Sequence, residues 1–266
     1  MQVKNIIKRF VSTIGYEVRR VSDEVGQNPF RDLQKLAGAG QLVIIDAGAN
    51  VGQSILDFRR SFSQPIIHAF EPGRDTFMEL QRRTSGLVGL HLNNCGLGSE
   101  PGMLKFVENS QSEMSSFLEP STDCWGTVQE REEVVVRTLD EYCAEKSVSH
   151  IDILKSDTQG FDLEVIKGAK QLLLQNAIHL IFIEIILCDM YKGIPRVDQI
   201  YSFLGEQGFS LVCFYQFHYQ HPRAAWTDAL FINPSYTPHT NRQNPIAGGL
   251  FPGRLTPNRS RKVVPG

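Results

Sequence analysis

The 266-residue chain carries 27 lysines and arginines against 29 aspartates and glutamates, a formal charge of -2, with 41% hydrophobic and 21% charged residues. That composition is ordinary for a globular protein with a sizeable core, and the near balance of charge excludes the broad basic field of a nucleic-acid binder. Five cysteines (Cys95, Cys124, Cys143, Cys188 and Cys213) are widely spaced with no CxxC pair, so a zinc site and a disulfide framework are not implied and reduced thiols in a cytoplasmic protein are expected.

Taken in chain order, Val3, Ile6, Ile7, Phe10, Val11 and Ile14 fall on one helical face, with Lys4, Lys8 and Arg9 elsewhere. This basic amphipathic helix is expected to pack on its own domain; weak contact of residues 1–14 with a membrane surface is the alternative. Lys8 and Arg9 interrupt the apolar run and no small-residue cleavage site follows, so a signal peptide is not expected. Residues 21–40 read as a connection with a short helix around Phe30–Leu36. Alternation then begins: strands at Leu42–Asp46, Ile66–Phe70 and His91–Asn94, helices at Gln53–Arg60 and Asp75–Arg83. Residues 96–137 break this rhythm with two strand-like runs, Met103–Val107 and Glu133–Arg137, and read as a β insertion or lid. Thr138 to Glu141 match a capping box. A strand at Ile151–Ser156, one helix over Phe161–Leu174, a strand at His179–Ile185 and a helix at Val197–Gln207 follow. Phe209–Tyr215 and Ala229–Ile232, joined by a loop over 216–228, are too close for a helical crossover and are expected to pair antiparallel. The apolar stretch Ala177–Cys188 is too short, and too interrupted, to span a bilayer. The organisation expected is an N-terminal segment 1–40, a Rossmann-like α/β domain over 41–235 and a disordered tail over 236–266, rich in Pro, Gly, Asn and Arg.

Asp46-Ala47-Gly48-Ala49-Asn50-Val51-Gly52 lies where a strand hands over to a helix. Glycines there permit positive φ and close ligand approach, and the helix start offers N–H groups. Glu71 ends the next strand, at the spacing from which an acid reaches a ribose diol. A nucleoside cofactor is therefore expected, and NAD and S-adenosylmethionine both suit it. Asn50 occupies the place of the second dinucleotide glycine, and Asp46 would repel phosphates but attract an ammonium and a sulfonium; both favour S-adenosylmethionine.

An ordered series of motifs over residues 40–232 resembles the FkbM family of methyltransferases. It comprises Ile44 to Gly52, Phe70-Glu71-Pro72, Asn94-Cys95-Gly96-Leu97-Gly98, Ser115-Ser116-Phe117, Arg137-Thr138-Leu139-Asp140, Ile183-Glu184 and Asp228-Ala229-Leu230-Phe231. Its most specific member is Leu154 to Ala169, similar to the family's K-x-D-x-E-G-x-E-x-x-V-L-x-G signature. The resemblance implies a class I methyltransferase fold, a mostly parallel seven-stranded sheet with helices on both faces and an antiparallel last strand. It also implies S-adenosyl-L-methionine as donor and O-methylation of a sugar, glycan or natural product. Gln159 departs from the family's usual Glu, as Asp162 does, and removes a charge beside the expected site.

Methyl transfer from a sulfonium to a hydroxyl needs positioning and gains from a base. Asp157, ending its strand at the sheet's carboxyl edge, is the first candidate for base or acceptor-orienting group, with capping of the following helix as the structural alternative. Glu184, in an apolar strand, is expected to contact Lys155. His218 and His221 lie in an aromatic loop; His218 is a second catalytic candidate, and no metal is expected. Asp46, Gly48, Asn50, Gly52, Glu71, Asn94, Cys95 and Ser116 are the residues expected to bind cofactor. An NAD-dependent sugar-modifying enzyme and a cofactor-binding protein without turnover are the rival readings.

Overall fold

A computed structural model describes residue 13, residues 24–38 and residues 40–237. The expected N-terminal amphipathic helix, apart from Thr13, and the expected tail beyond residue 237 lie outside these residues. The chain enters through helix α1 (Pro29–Ala37), where the Asn28 side chain accepts from the Arg31 N–H at 3.0 Å. Strand β1 (Val43–Ala47) and helix α2 (Gln53–Ser61) follow, then β2 (Ile66–Phe70), α3 (Arg74–Arg83) and β3 (Leu90–Asn93). The insertion contributes β4 (Gly96–Leu97), β5 (Gly102–Asn109), a short 3-10 turn at Ser112–Met114 and β6 (Val128–Arg137). Helix α4 (Leu139–Lys146), β7 (Ile151–Ser156), α5 (Asp162–Lys167), α6 (Lys170–Leu174), β8 (Ile178–Ile186) and α7 (Val197–Glu206) complete the alternation. The end is all β: β9 (Ser210–Phe214), β10 (His218–Gln220) and β11 (Arg223–Ile232).

The main sheet runs β3-β2-β1-β7-β8-β11, parallel from β3 to β8 and antiparallel at β8–β11. Consecutive residues of the central strands feed opposite cores, as period-two geometry requires. Ile45, Leu154, Ile181 and Ile183 pack with α4 to α7, while Ile44, Ile153, Leu180 and Phe182 pack with α1 to α3. Removing such β-branched and leucine side chains from water contributes about 1.5–3 kcal/mol each, which is why the runs become central strands. The insertion folds as its own three-stranded sheet, β4-β6-β5: β5 and β6 pair antiparallel, as its two strand-like runs predict, and the unpredicted β4 joins β6 in parallel.

Two expectations need correction. The main sheet has eight strands, because the expected loop over 216–228 folds as β10 and the first half of a ten-residue β11. The expected helix over Phe161–Leu174 is two helices. Gly168 packs against the Gly98 carbonyl, only 2.1 Å from where a Cβ would stand. The Asp140 carboxylate of α4 then caps a new helix start by accepting from the N–H groups of Gln171 (2.8 Å) and Leu172 (3.1 Å). Thr138 caps α4 as expected, accepting from the Glu141 N–H at 3.2 Å. Among the described residues no helix is long and apolar enough to cross a membrane.

Under β2 and β3 lies a polar group within the core. His68 shares a 2.8 Å hydrogen bond with the Tyr142 hydroxyl and stacks on His91 at 4.6 Å. Burial, with His91 and Lys146 adding to it, pushes the His68 pKa down to about 4. Its folded value therefore lies below its unfolded one, so its neutral form stabilises the fold fully above pH 6.5 and progressively less as pH falls toward 4. Urea unfolding across that window should show the wild type losing stability more steeply than His68→Phe; parallel slopes would contradict it.

Candidate active site

The sheet's carboxyl edge opens into a cavity of about 340 Å³ walled by α1, the β1–α2 turn, the β2 end, the insertion, the end of β7 and the middle of β8 and β11. That is the size range of a small-molecule site, placed at the strand-order switch between β1 and β7 where open α/β sheets bind ligands.

The β1–α2 turn is built by close approach. Gly48 has φ 76°, and a Cβ there would stand 1.9 Å from the Asp157 carbonyl. Only glycine permits both that conformation and that contact. Asn50 is also left-handed, with φ 47°. The N–H groups of Gly48 and Ala49 donate to the Phe70 carbonyl at 3.1 and 2.9 Å, and that of Asn50 donates to Glu71 Oε2 at 3.0 Å. The turn's amides are thus spent on β2, leaving no phosphate cradle of the dinucleotide kind. Gly52 starts α2 at φ 91°, packed against Leu80 and Thr84 outside the cavity lining.

Glu71 is 6% exposed and lines the cavity, its other oxygen accepting from the Gly73 N–H at 3.0 Å. Burial pushes its pKa up to about 7 against those two N–H bonds, helped by the charges of Glu108 and Asp46. A slot of Phe70, Pro72, Leu97, Phe106 and Phe117 adjoins it. Phe117 reaches this wall because Gly96 has no side chain; a Cβ there would lie 2.4 Å from the ring.

The opposite end is charged. Lys155 is the one cation among the described lining residues. Its ammonium lies 3.2 Å from Asp46 Oδ1 and 3.6 Å from Asp157 Oδ2. Burial works against that charge, but Asp46 and Asp157 outweigh it and raise the pKa. Asp46 itself is fully buried beneath the lining, its Oδ2 accepting from Ser54 Oγ at 2.5 Å. The Asp46–Lys155 pair follows from register, since the two residues are direct partners across β1 and β7. Contrary to expectation, Glu184 does not take Lys155. Glu184 Oε2 accepts from Gln159 Nε2 at 2.8 Å, and the same amide donates to Asp157 Oδ1 at 3.2 Å. Gln159 is held in turn, with φ 54°, its Oε1 2.9 Å from the Tyr191 hydroxyl and its carbonyl accepting from Ser116 Oγ at 2.8 Å.

Of the expected residues, the structure brings Gly48, Asn50, Glu71 and Asp157 to the cavity. Asp157 does not cap the next helix, whose start has no side-chain cap; Asp162, its first residue, instead reaches back to accept from the N–H groups of Thr158 and Gly160 in the turn before it. Ser116 is 1% exposed and acts on Gln159, while Ser115 lines the cavity. Asn94 turns back to the Glu71 and Pro72 carbonyls, and Cys95 faces the core; Gly96 and Leu97 line the cavity instead. His218 lies outside the cavity lining, exposed and stacked on Trp226 at 4.7 Å, because β10 pairs it to the outer edge of β11. Pro29, Phe30, Asp57, Phe106, Ser112 and Phe182 line the cavity without having been singled out in the sequence. Only Pro29 carried a local signal, as a proline after an Asn cap. Among the described residues no group of His, Cys, Asp or Glu has a metal-holding arrangement.

Strand order, the glycine turn and an acid at the β2 end define a class I methyltransferase fold. The chain belongs to the FkbM methyltransferase family, whose domain matches residues 46–211. It is 29% identical over 143 residues to "Methyltransferase 1" of Beauveria bassiana, covering 47% of this chain and 57% of that protein. It is 27% identical to "Methyltransferase sdnD" of Sordaria araneosa over 196 residues, 63% of this chain and 73% of that one. Among solved structures, M. capricolum TrmK with S-adenosyl-homocysteine aligns at 11% identity and TM-score 0.45, covering 78% of this chain and 70% of that one.

Gln159→Glu replaces a double donor by a third carboxylate between Asp157 and Glu184. The variant should lose about 1–3 kcal/mol relative to wild type near pH 8 and recover much of it near pH 5, where the added acid protonates. Urea midpoints at the two pH values measure this, and a loss that is equal at both would refute it.

Proposed function

We propose that this protein is an S-adenosyl-L-methionine-dependent methyltransferase acting on a hydroxyl of a sugar, glycan or natural product. The observation that carries the donor assignment is Glu71, a buried carboxylate facing the cavity between a glycine turn and an apolar slot. Ribose hydroxyls can donate to it, and the slot of Phe70, Leu97, Phe106 and Phe117 suits a purine ring. Lys155 and Asp157, a cation and an anion 3.6 Å apart, match the carboxylate and ammonium of an amino-acid end. The occupied amides of Gly48 to Asn50 speak against a pyrophosphate, and hence against NAD.

When bound, the donor supplies an electrophilic methyl group; the chain's own part is to align an acceptor oxygen with it and keep water away. Gln159 holds Asp157 and Glu184 in place, and the insertion closes one side through Ser112, Ser115 and Phe117. Phe30 and Phe182 add apolar surface beside Asp228, suited to stacking on a sugar or an apolar ring.

Calorimetric titration with S-adenosylhomocysteine should show micromolar binding that weakens about a hundredfold, roughly 3 kcal/mol, in Glu71→Ala. Because the carboxylate form of Glu71 accepts the ribose, affinity should rise with pH up to about 7 and level off above it, a dependence absent in Glu71→Gln. Binding of NAD with none of S-adenosylhomocysteine would overturn the assignment.

A further inference from the structure

We propose that Asp228 is the catalytic residue that takes the proton from the acceptor hydroxyl. This rests on the O-methyl-transfer reading above and names the base within it. Besides Glu71, held by the Asn50 and Gly73 N–H groups, the carboxyl edge gathers five acids, and four are committed elsewhere. Asp46 is bound by Ser54 and Lys155; Asp157 by Lys155 on one oxygen and Gln159 on the other. Asp162 accepts from Ser156 Oγ, Thr158 N–H and Gly160 N–H, and Glu184 accepts from Gln159. Asp228 lines the cavity, and among the described residues its carboxylate has no hydrogen-bond or ion-pair partner.

Strand pairing explains both its place and its freedom. Asp228 stands directly across the β8–β11 ladder from Glu184, so the antiparallel last strand delivers a carboxylate beside the parallel strands' ends. The Gln159 amide reaches Asp157 and Glu184 and goes no further. Burial, with Asp157 next, pushes the Asp228 pKa up to about 6, and Lys155 holds it back from rising further. It is thus ionised near neutral pH and more basic than an ordinary aspartate, as proton abstraction from a hydroxyl requires. As the acceptor's O–CH3 bond forms and the S–CH3 bond breaks, the bonding pair stays on sulfur and the hydroxyl proton passes to an Asp228 oxygen. That proton leaves to solvent after the methylated product departs.

The test compares full-length wild type, Asp228→Asn and Asp157→Asn. Binding of S-adenosylhomocysteine is measured by calorimetry. Transfer of labelled methyl to probe hydroxyls (a methyl glycoside, catechol and a flavonol) is followed over about pH 5 to 9. Asp228→Asn should bind S-adenosylhomocysteine within about threefold of wild type yet lose at least about a hundredfold in transfer. At saturating donor, where the Glu71 dependence of binding no longer shows, the wild-type rate should rise with pH through the region near 6, and that limb should vanish in the variant. Transfer by Asp228→Asn within about tenfold of wild type, with its pH limb kept, would overturn the assignment. So would a loss confined to Asp157→Asn. Wild type that binds S-adenosylhomocysteine but methylates no probe hydroxyl would instead overturn the O-methyl-transfer reading, and this assignment with it. If Asp228→Asn binds poorly, Asp228→Gly with added formate decides: recovered transfer supports the role, and no recovery in a variant that binds S-adenosylhomocysteine refutes it.

Discussion

The ammonium of Lys155 holds the carboxyl edge of this sheet together. Asp46, Asp157, Asp162, Glu184 and Asp228 crowd the carboxyl edge of four neighbouring strands, β1, β7, β8 and β11, and like charges at such range cannot all remain ionised in a dry site. A single buried cation between Asp46 and Asp157 neutralises part of that charge. It is reached from β7 because parallel register sets Lys155 opposite Asp46. A buried ion pair of this kind specifies arrangement more than it stabilises, since desolvation offsets most of the attraction. Here the arrangement is the floor of the cavity.

Gln159 extends that order outward. As a glutamate it would add to the repulsion; as an amide it donates to two acids and leaves its oxygen to Tyr191. The Tyr191 hydroxyl also lies 3.1 Å from the Met114 carbonyl, and Ser116 reaches the Gln159 backbone, so the insertion and the acids share one hydrogen-bonded node. The departure from the family pattern is therefore accommodated by bonds and leaves no gap. The insertion, which interrupts the α/β alternation in sequence, is in space the wall that gives the cavity its apolar side.

The strands and helices of the α/β core were legible because their signals are local. Apolar runs of β-branched residues ending at a glycine turn give Ile66–Phe70 and Ile151–Ser156 at the expected bounds. The break at Gly168 was not legible, since its cause is a carbonyl from Gly98 and a cap from Asp140, both distant in sequence. His218 misled for a similar reason: an H-x-x-H spacing says nothing of which edge of a strand the residue will face. Asp46 was legible as part of the turn, but its burial under Ser54 and Lys155 was not.

By itself the sequence determined the element order, the glycine turn, the acid at the end of β2 and membership of a methyltransferase family. Each of these depends on residues close together along the chain. Which carboxylate is paired, and which is left facing the cavity, was decided only by tertiary structure. Asp46, Lys155, Gln159, Glu184 and Asp228 come from four strands and a turn, and their partners are set by register and by the antiparallel turn of β11. One donor group satisfies the acids within its reach, and distance in three dimensions selects the one it leaves free.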